Sequence, residues 1–178
     1  MSRLPFPGHD APAAGFDAPF EMLDACHERV RRSLALLDRL VAHLREGRFD
    51  TPAADAARDV LRYFDLAAPL HHEDEERHVF PAVEAELPEA VRRLRDDHRA
   101  MTVAWAQLRV PLAALAADPQ AARAPGFVGG LQAAAAAHAA LYAQHLQTEE
   151  TLVFPQACER VADQAAMGAE MARRRATR

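Results

Sequence analysis

Residues 71–81 read His71-His72-Glu73-Asp74-Glu75-Glu76-Arg77-His78-Val79-Phe80-Pro81, and residues 145–155 read His145-Leu146-Gln147-Thr148-Glu149-Glu150-Thr151-Leu152-Val153-Phe154-Pro155. His71, Glu75, Glu76, Val79, Phe80 and Pro81 thus recur, in the same order and spacing, as His145, Glu149, Glu150, Val153, Phe154 and Pro155. A histidine and a glutamate four apart lie on one face of a helix with Cβ atoms about 6 Å apart, so both reach one metal ion or bridge to a second. The phrase is therefore a helical His-x3-Glu, used twice.

Each copy has a lone histidine upstream, His27 before His71 and His98 before His145, at separations of 44 and 47 residues. A unit of that length is one αα-hairpin. Two such units predict an all-α fold, an up-down-up-down antiparallel four-helix bundle.

Composition agrees. Abundant alanine, only seven glycines and few aromatic or β-branched residues favour helix, and no alternating stretch bounded by turn residues suggests a strand. The 178 residues, half of them hydrophobic, suffice for one core and one domain. The longest apolar run, Ala133 to Tyr142, is interrupted by His138 and is too short to span a bilayer, and no basic flank precedes an apolar core at the start. A soluble cytoplasmic protein without membrane association is expected. Net charge is −5, and the one basic cluster, Arg173, Arg174, Arg175 and Arg178, reads as a solvated helix end rather than a nucleic-acid contact. Cys26 and Cys158 make no disulfide framework, and no Cys-x2-Cys pair is present to hold zinc or attach haem. Both read as small hydrophobes.

Along the chain, residues 1–19 hold four prolines and two glycines and read as a flexible N-terminal arm. The bundle is assigned to residues 20–160. Met22, Cys26, Val30, Leu34, Leu37, Val41 and Leu44 mark the stripe of helix 1, which ends near Gly47. Thr51 as N-cap and Pro52 at the first helical position start helix 2, running to about Glu86 with kinks at Pro69 and Pro81. Helix 3 is expected from about Glu89 to Ala116 with a bend at Pro111, and helix 4 from near Gly126 to Arg160 with a kink at Pro155. Residues 161–178 form a helical extension or tail. At about 1.5 Å rise per residue, the motifs fall at matching heights on either side of each turn and can share one layer.

That layer would hold His27, His71, Glu75, His98, His145 and Glu149. Four imidazoles and two bridging carboxylates suit two metal ions, each with two nitrogens and two oxygens. A solvent-derived bridge makes five ligands and leaves a sixth position open. Imidazole and carboxylate without thiolate favour iron or manganese over structural zinc, although zinc or copper could substitute. The repeat selects His71 over its neighbour His72, because His72 and Glu76 have no histidine counterpart in the second copy. Glu76 and Glu150 point about 100° away from the ligands and read as solvated charge or as support for the ligands. His138, two turns before His145, would line a channel, bind another ion or form a hydrogen-bonded core position, while His9, His43 and His78 read as surface residues. Phe80, Phe154 and Trp105 read as core.

The paired phrases with a lone histidine before each resemble the hemerythrin-like, HHE cation-binding family, over about Phe20 to Arg160. The resemblance implies a non-haem di-iron bundle that binds dioxygen or reacts with related small molecules. Oxygen-carrying hemerythrin resembles His-x3-His on helix 3, where this chain has His98 followed by Thr102. The family's carriers pair one saturated with one open iron, whereas six symmetric ligands would leave both open. The cysteine-bearing N-terminal domain of relatives implicated in iron–sulfur repair is not expected here. Ferritin-like bundles use Glu-x2-His, a different order and spacing. The leading expectation is a protein that binds dioxygen or senses oxygen or redox state through a carboxylate-bridged di-iron pair. Alternatives are an enzyme reducing peroxide or nitric oxide, or an iron-responsive interaction module.

Overall fold

The structure, a computed structural model, describes residues 15–176. It is helical, with no strand among the described residues. Most of the expected N-terminal arm, with His9, and the final Arg178 lie outside the described residues. Helix α1 is Pro19–Arg45. Helix α2 spans 51–83, α3 is Pro88–Ala117, α4 spans 127–160 and α5 is Gln164–Ala176. A 3-10 turn, Pro119–Arg123, lies in the connection between α3 and α4. Helix α1 packs on α2 and α4, and α3 packs on the same two.

The ends of these helices follow local chemistry. Gly47 takes a positive φ of 76° just past α1, as a left-handed stop requires. The N-cap of α2 is Asp50 rather than the expected Thr51: Asp50 Oδ1 accepts from Ala53 N at 3.2 Å. It also accepts from His43 Nε2 at 2.8 Å. His43 is therefore buried, not a surface residue, and ties the end of α1 to the start of α2.

The prolines act more specifically than by kinking. Tyr63–Ala67, Glu75–Val79 and Glu149–Val153 are π-helical turns, and each ends two residues before a proline, Pro69, Pro81 or Pro155. A proline inside an α-helix would drive its ring into the carbonyl four residues back. Widening the preceding turn relieves that clash, and the residue before the proline donates instead to the carbonyl five back: Phe80 to Glu75 and Phe154 to Glu149. Two of the three widened turns begin at a glutamate of the repeated phrase. Pro111 produces no such turn; α3 carries it as ordinary helix.

Two apolar clusters stack along the bundle. One contains Val30, Ala68, Met101 and Leu146; the other contains Cys26, Val79, Leu94 and Val153. On every long helix the predicted ligands fall between a residue of the first cluster and one of the second. The polar layer is thus walled by hydrocarbon on both sides.

Residues 161–163 break the chain, and α5 folds back as a separate helix. Met167 and Met171 are buried in the second cluster. Gly168 permits the approach, because a Cβ there would collide with the Phe16 carbonyl oxygen. Arg174 and Arg175 pair with the buried Asp74 of α2, Arg175 Nη2 at 2.7 Å from Asp74 Oδ2. Arg174 and Arg175 therefore make a packing contact, not the solvated helix end their composition suggests. One helix, α3, is long and apolar enough to cross a membrane by length and composition. Arg109 interrupts its apolar sequence, and Met101, Leu108, Leu112 and Leu115 face the core.

Candidate metal centre

The six predicted residues meet. All are buried, with His27, Glu75 and Glu149 fully so. They form two groups that share both carboxylates: His27 and His71 with Glu75 and Glu149, and His98 and His145 with the same pair, the ligand atoms of each group lying within 4.8 Å of one another. The oxygens divide between the groups. Glu75 Oε1 lies 3.0 Å from His71 Nε2 and 3.6 Å from His27 Nε2, whereas Oε2 lies 3.5 Å from His98 Nε2. Glu149 Oε1 lies 3.2 Å from His145 Nε2, and Oε2 lies 3.2 Å from His27 Nε2. Each carboxylate thus faces both imidazole pairs.

The donor set fits cations. None of the four carboxylate oxygens has a hydrogen-bond partner among the described residues, and neither do the Nε2 atoms of His27, His71 and His98. Two desolvated carboxylates cost several kcal/mol each unless positive charge compensates them. Protons show the demand. Burial works against the His27 imidazolium, but Glu149 and Glu75 outweigh it and raise its pKa to about 9. Burial opposes charge on His71 as well, yet Glu75 lifts its pKa well above the ordinary value; Glu75 is held well below its own, chiefly by His71, against its burial. Metal ions in these positions would replace those protons.

The shared residues outside the ligand set hold the lone histidines, each phrase acting on the other hairpin. His27 Nδ1 donates to Glu150 at 2.9 Å and its ring stacks on Phe154, centroids 5.1 Å apart. His98 Nδ1 donates to Glu76 at 2.8 Å and stacks on Phe80 at 5.5 Å. A carboxylate on the outer nitrogen fixes the tautomer that presents Nε2 to the centre. Glu150 is itself clamped by Arg31, with Nη2 at 2.6 and 2.7 Å from its two oxygens. The repeat of two adjacent glutamates signalled this role, but spacing alone does not say which histidine the second glutamate reaches.

Other residues settle as follows. His71, not His72, joins the cluster. His72 stacks on His98 with centroids 4.1 Å apart, and burial holds its pKa well below the ordinary value. His138 is fully buried among Phe64, Trp105 and Tyr142, with neither ring nitrogen hydrogen-bonded among the described residues. It is a core position without the expected hydrogen bond, and burial pushes its pKa down to about 4. Thr102 is exposed, and its hydroxyl donates to the His98 carbonyl at 2.9 Å. Sequence reasoning missed Asp97, whose Oδ2 lies 3.4 Å from His145 Nδ1, and Asp74 with its arginine partners. Asp97 had a signal: it directly precedes the lone His98.

With this geometry in place, the comparison with protein families is decisive: the model of the hemerythrin HHE cation binding domain matches residues 18–157. The chain belongs to the hemerythrin HHE cation-binding domain family. The matched span contains all six clustered residues and stops before α5. The chain is also similar to an uncharacterized protein of Haemophilus influenzae, 32% identical over 108 residues, which cover 59% of this chain and 63% of that protein. Membership in the HHE family implies cation binding, and the buried His/Glu groups are where this chain could hold the metal.

Proposed function

We propose that the protein is a non-haem di-iron protein that binds dioxygen or senses oxygen or redox state. The framework would be an up-down-up-down bundle of two αα-hairpins, with α5 added outside it. His27 and His71 would hold one iron, His98 and His145 the other, and Glu75 and Glu149 would bridge them together with a solvent-derived ligand. The observation that carries this reading is the division of each carboxylate's oxygens between two imidazole pairs. Iron held there would supply reversible redox chemistry. The chain's own residues orient the imidazoles through Glu76, Glu150 and Asp97. Phe80, Phe154 and the apolar clusters exclude water from the layer.

Expression with ample iron, elemental analysis and then anaerobic reduction with stopped-flow mixing test the proposal. Two irons per chain and an optical change on mixing with dioxygen are expected. One zinc and no iron would overturn the metal assignment. A change with peroxide or nitric oxide but not dioxygen would move the function to reduction of those molecules. No change with any of the three would leave an iron-responsive structural module.

A further inference from the structure

The two hairpins repeat each other closely at the centre, and they part at one supporting position. Asp97 directly precedes the lone histidine of the second hairpin and lies 3.4 Å from Nδ1 of His145 in that hairpin. Cys26 directly precedes the lone histidine of the first hairpin, and its buried thiol donates to Met22 Sδ at 3.6 Å. Three of the four imidazoles therefore turn Nδ1 toward a carboxylate: His27 to Glu150, His98 to Glu76 and His145 to Asp97. The fourth, His71, has no hydrogen-bond partner on Nδ1 among the described residues.

The two supports differ in strength. A carboxylate behind an imidazole makes the opposite nitrogen a stronger donor and fixes its tautomer. A thiol is a weak hydrogen-bonding group and carries no charge when protonated.

We propose that Asp97 acts as a positioning residue, while Cys26 at the matching place in the first hairpin supplies no carboxylate, and that this makes the two metal positions unequal, so that a divalent cation fills the His98/His145 position first and the His27/His71 position second. The inference rests on the two-ion reading above and adds an order of filling that six symmetric ligands would not have. Calorimetric titration of the metal-free, full-length chain with Co2+ tests it. The wild type should bind two Co2+ in two events with dissociation constants at least about tenfold apart. Asp97→Asn should weaken the tighter event by roughly 10- to 100-fold and leave the weaker one in place, so that the two merge. Asp97→Glu should restore the separation, and Cys26→Asp should tighten the weaker event. Should Cys26→Asp fail to fold, the two Asp97 variants decide alone. A wild type that fills both positions as one class, or an Asp97→Asn variant that weakens both events equally or neither, would overturn the inference. Binding of fewer than two Co2+ by the wild type would instead remove the two-ion reading and the inference with it.

Discussion

The first hairpin carries its half of the centre under a fifth helix, and the second hairpin carries its half without one. Aligning the repeats shows why. Positions that agree, the ligating His and Glu, the second Glu, Phe and Pro, build the layer common to both halves. Positions that disagree decide everything particular to one half. Asp74 is fully buried and takes Arg174 and Arg175 of α5, whereas its counterpart Thr148 returns its hydroxyl to the Gln144 carbonyl at 2.8 Å. Cys26 stands opposite Asp97, and Phe64 opposite His138. The clustered residues lie where the repeats agree, and their surroundings differ where the repeats disagree.

The largest effect should fall where the halves are equivalent. Each carboxylate touches both imidazole pairs, so Glu75→Ala and Glu149→Ala should each abolish binding of both ions, and metal-dependent stabilisation should disappear with them. Elemental analysis of the purified variants checks this. Retention of one ion in either variant would mean that its glutamate serves only one position and would break the equivalence.

A smaller effect should separate the halves. Asp74→Ala leaves two partly buried guanidinium groups without their shared carboxylate and should destabilise the fold by about 3 kcal/mol, as removal of one member of a buried ion pair does. Thr148→Ala at the matching position should change stability by less than about 0.5 kcal/mol. Denaturant midpoints at constant slope provide the measurement. Equal values for the two variants would show that α5 is not anchored through Asp74.

This difference also marks what could be read from the sequence. The six clustered residues were legible because metal ligation demands particular side chains at helical spacing, and a repeat of that spacing is improbable without a shared layer. Glu76 and Glu150 were legible as a pair but not in their targets, since reaching His98 and His27 depends on how neighbouring helices meet. Helix α5 was legible only as helical or frayed chain. Its docking depends on Gly168 clearing the Phe16 carbonyl and on the pairing of residues 100 or more positions apart, Asp74 with Arg174 and Arg175, which local patterns do not encode. The π-helical turns were half legible: each proline announced a disturbance, but the choice of a widened turn over a kink is made by packing on both sides.

The Phe64/His138 pair offers a pH-dependent test of the asymmetry. The two rings touch, with centroids 4.9 Å apart, and only the second-hairpin residue titrates. Burial holds His138 near pKa 4 in the fold against 6.5 for the free side chain, so the unfolded chain binds the proton more readily. Stability from this group is fully present above pH 6.5 and is lost as pH falls toward 4, amounting to about 2 kcal/mol at pH 5. His138→Phe, which restores the symmetric residue, should remove that part of the pH dependence while stability at pH 8 stays within about 1 kcal/mol. Thermal melts of both proteins from pH 8 to pH 5 decide it, and parallel curves would show that His138 does not carry the difference.

The smallest effect is expected at Thr102, the position at which carriers in the family place a further histidine on the third helix. Spacing alone suggests that Thr102→His would complete a fifth imidazole and convert one half of the centre into the saturated half of a carrier. The structure argues otherwise. Thr102 is exposed, and its hydroxyl is folded back onto the His98 carbonyl, so a histidine there would project to solvent unless α3 rotated. His72 already stacks against His98, 4.1 Å from its ring centroid, and occupies the space beside that ligand. Rotation of α3 would expose Met101 and Leu108, both buried, at roughly 1.5–3 kcal/mol for each side chain exposed. One added metal–nitrogen bond at a centre proposed to hold two ions does not outweigh that combined loss together with displacement of His98. Thr102→His should therefore leave metal content unchanged, shift stability by less than about 0.5 kcal/mol and leave the optical spectrum of the iron-loaded protein as in the wild type. A new long-lived spectrum with dioxygen that bleaches on degassing would show that α3 does turn, and that the two halves differ less in backbone geometry than in the residue at this one position.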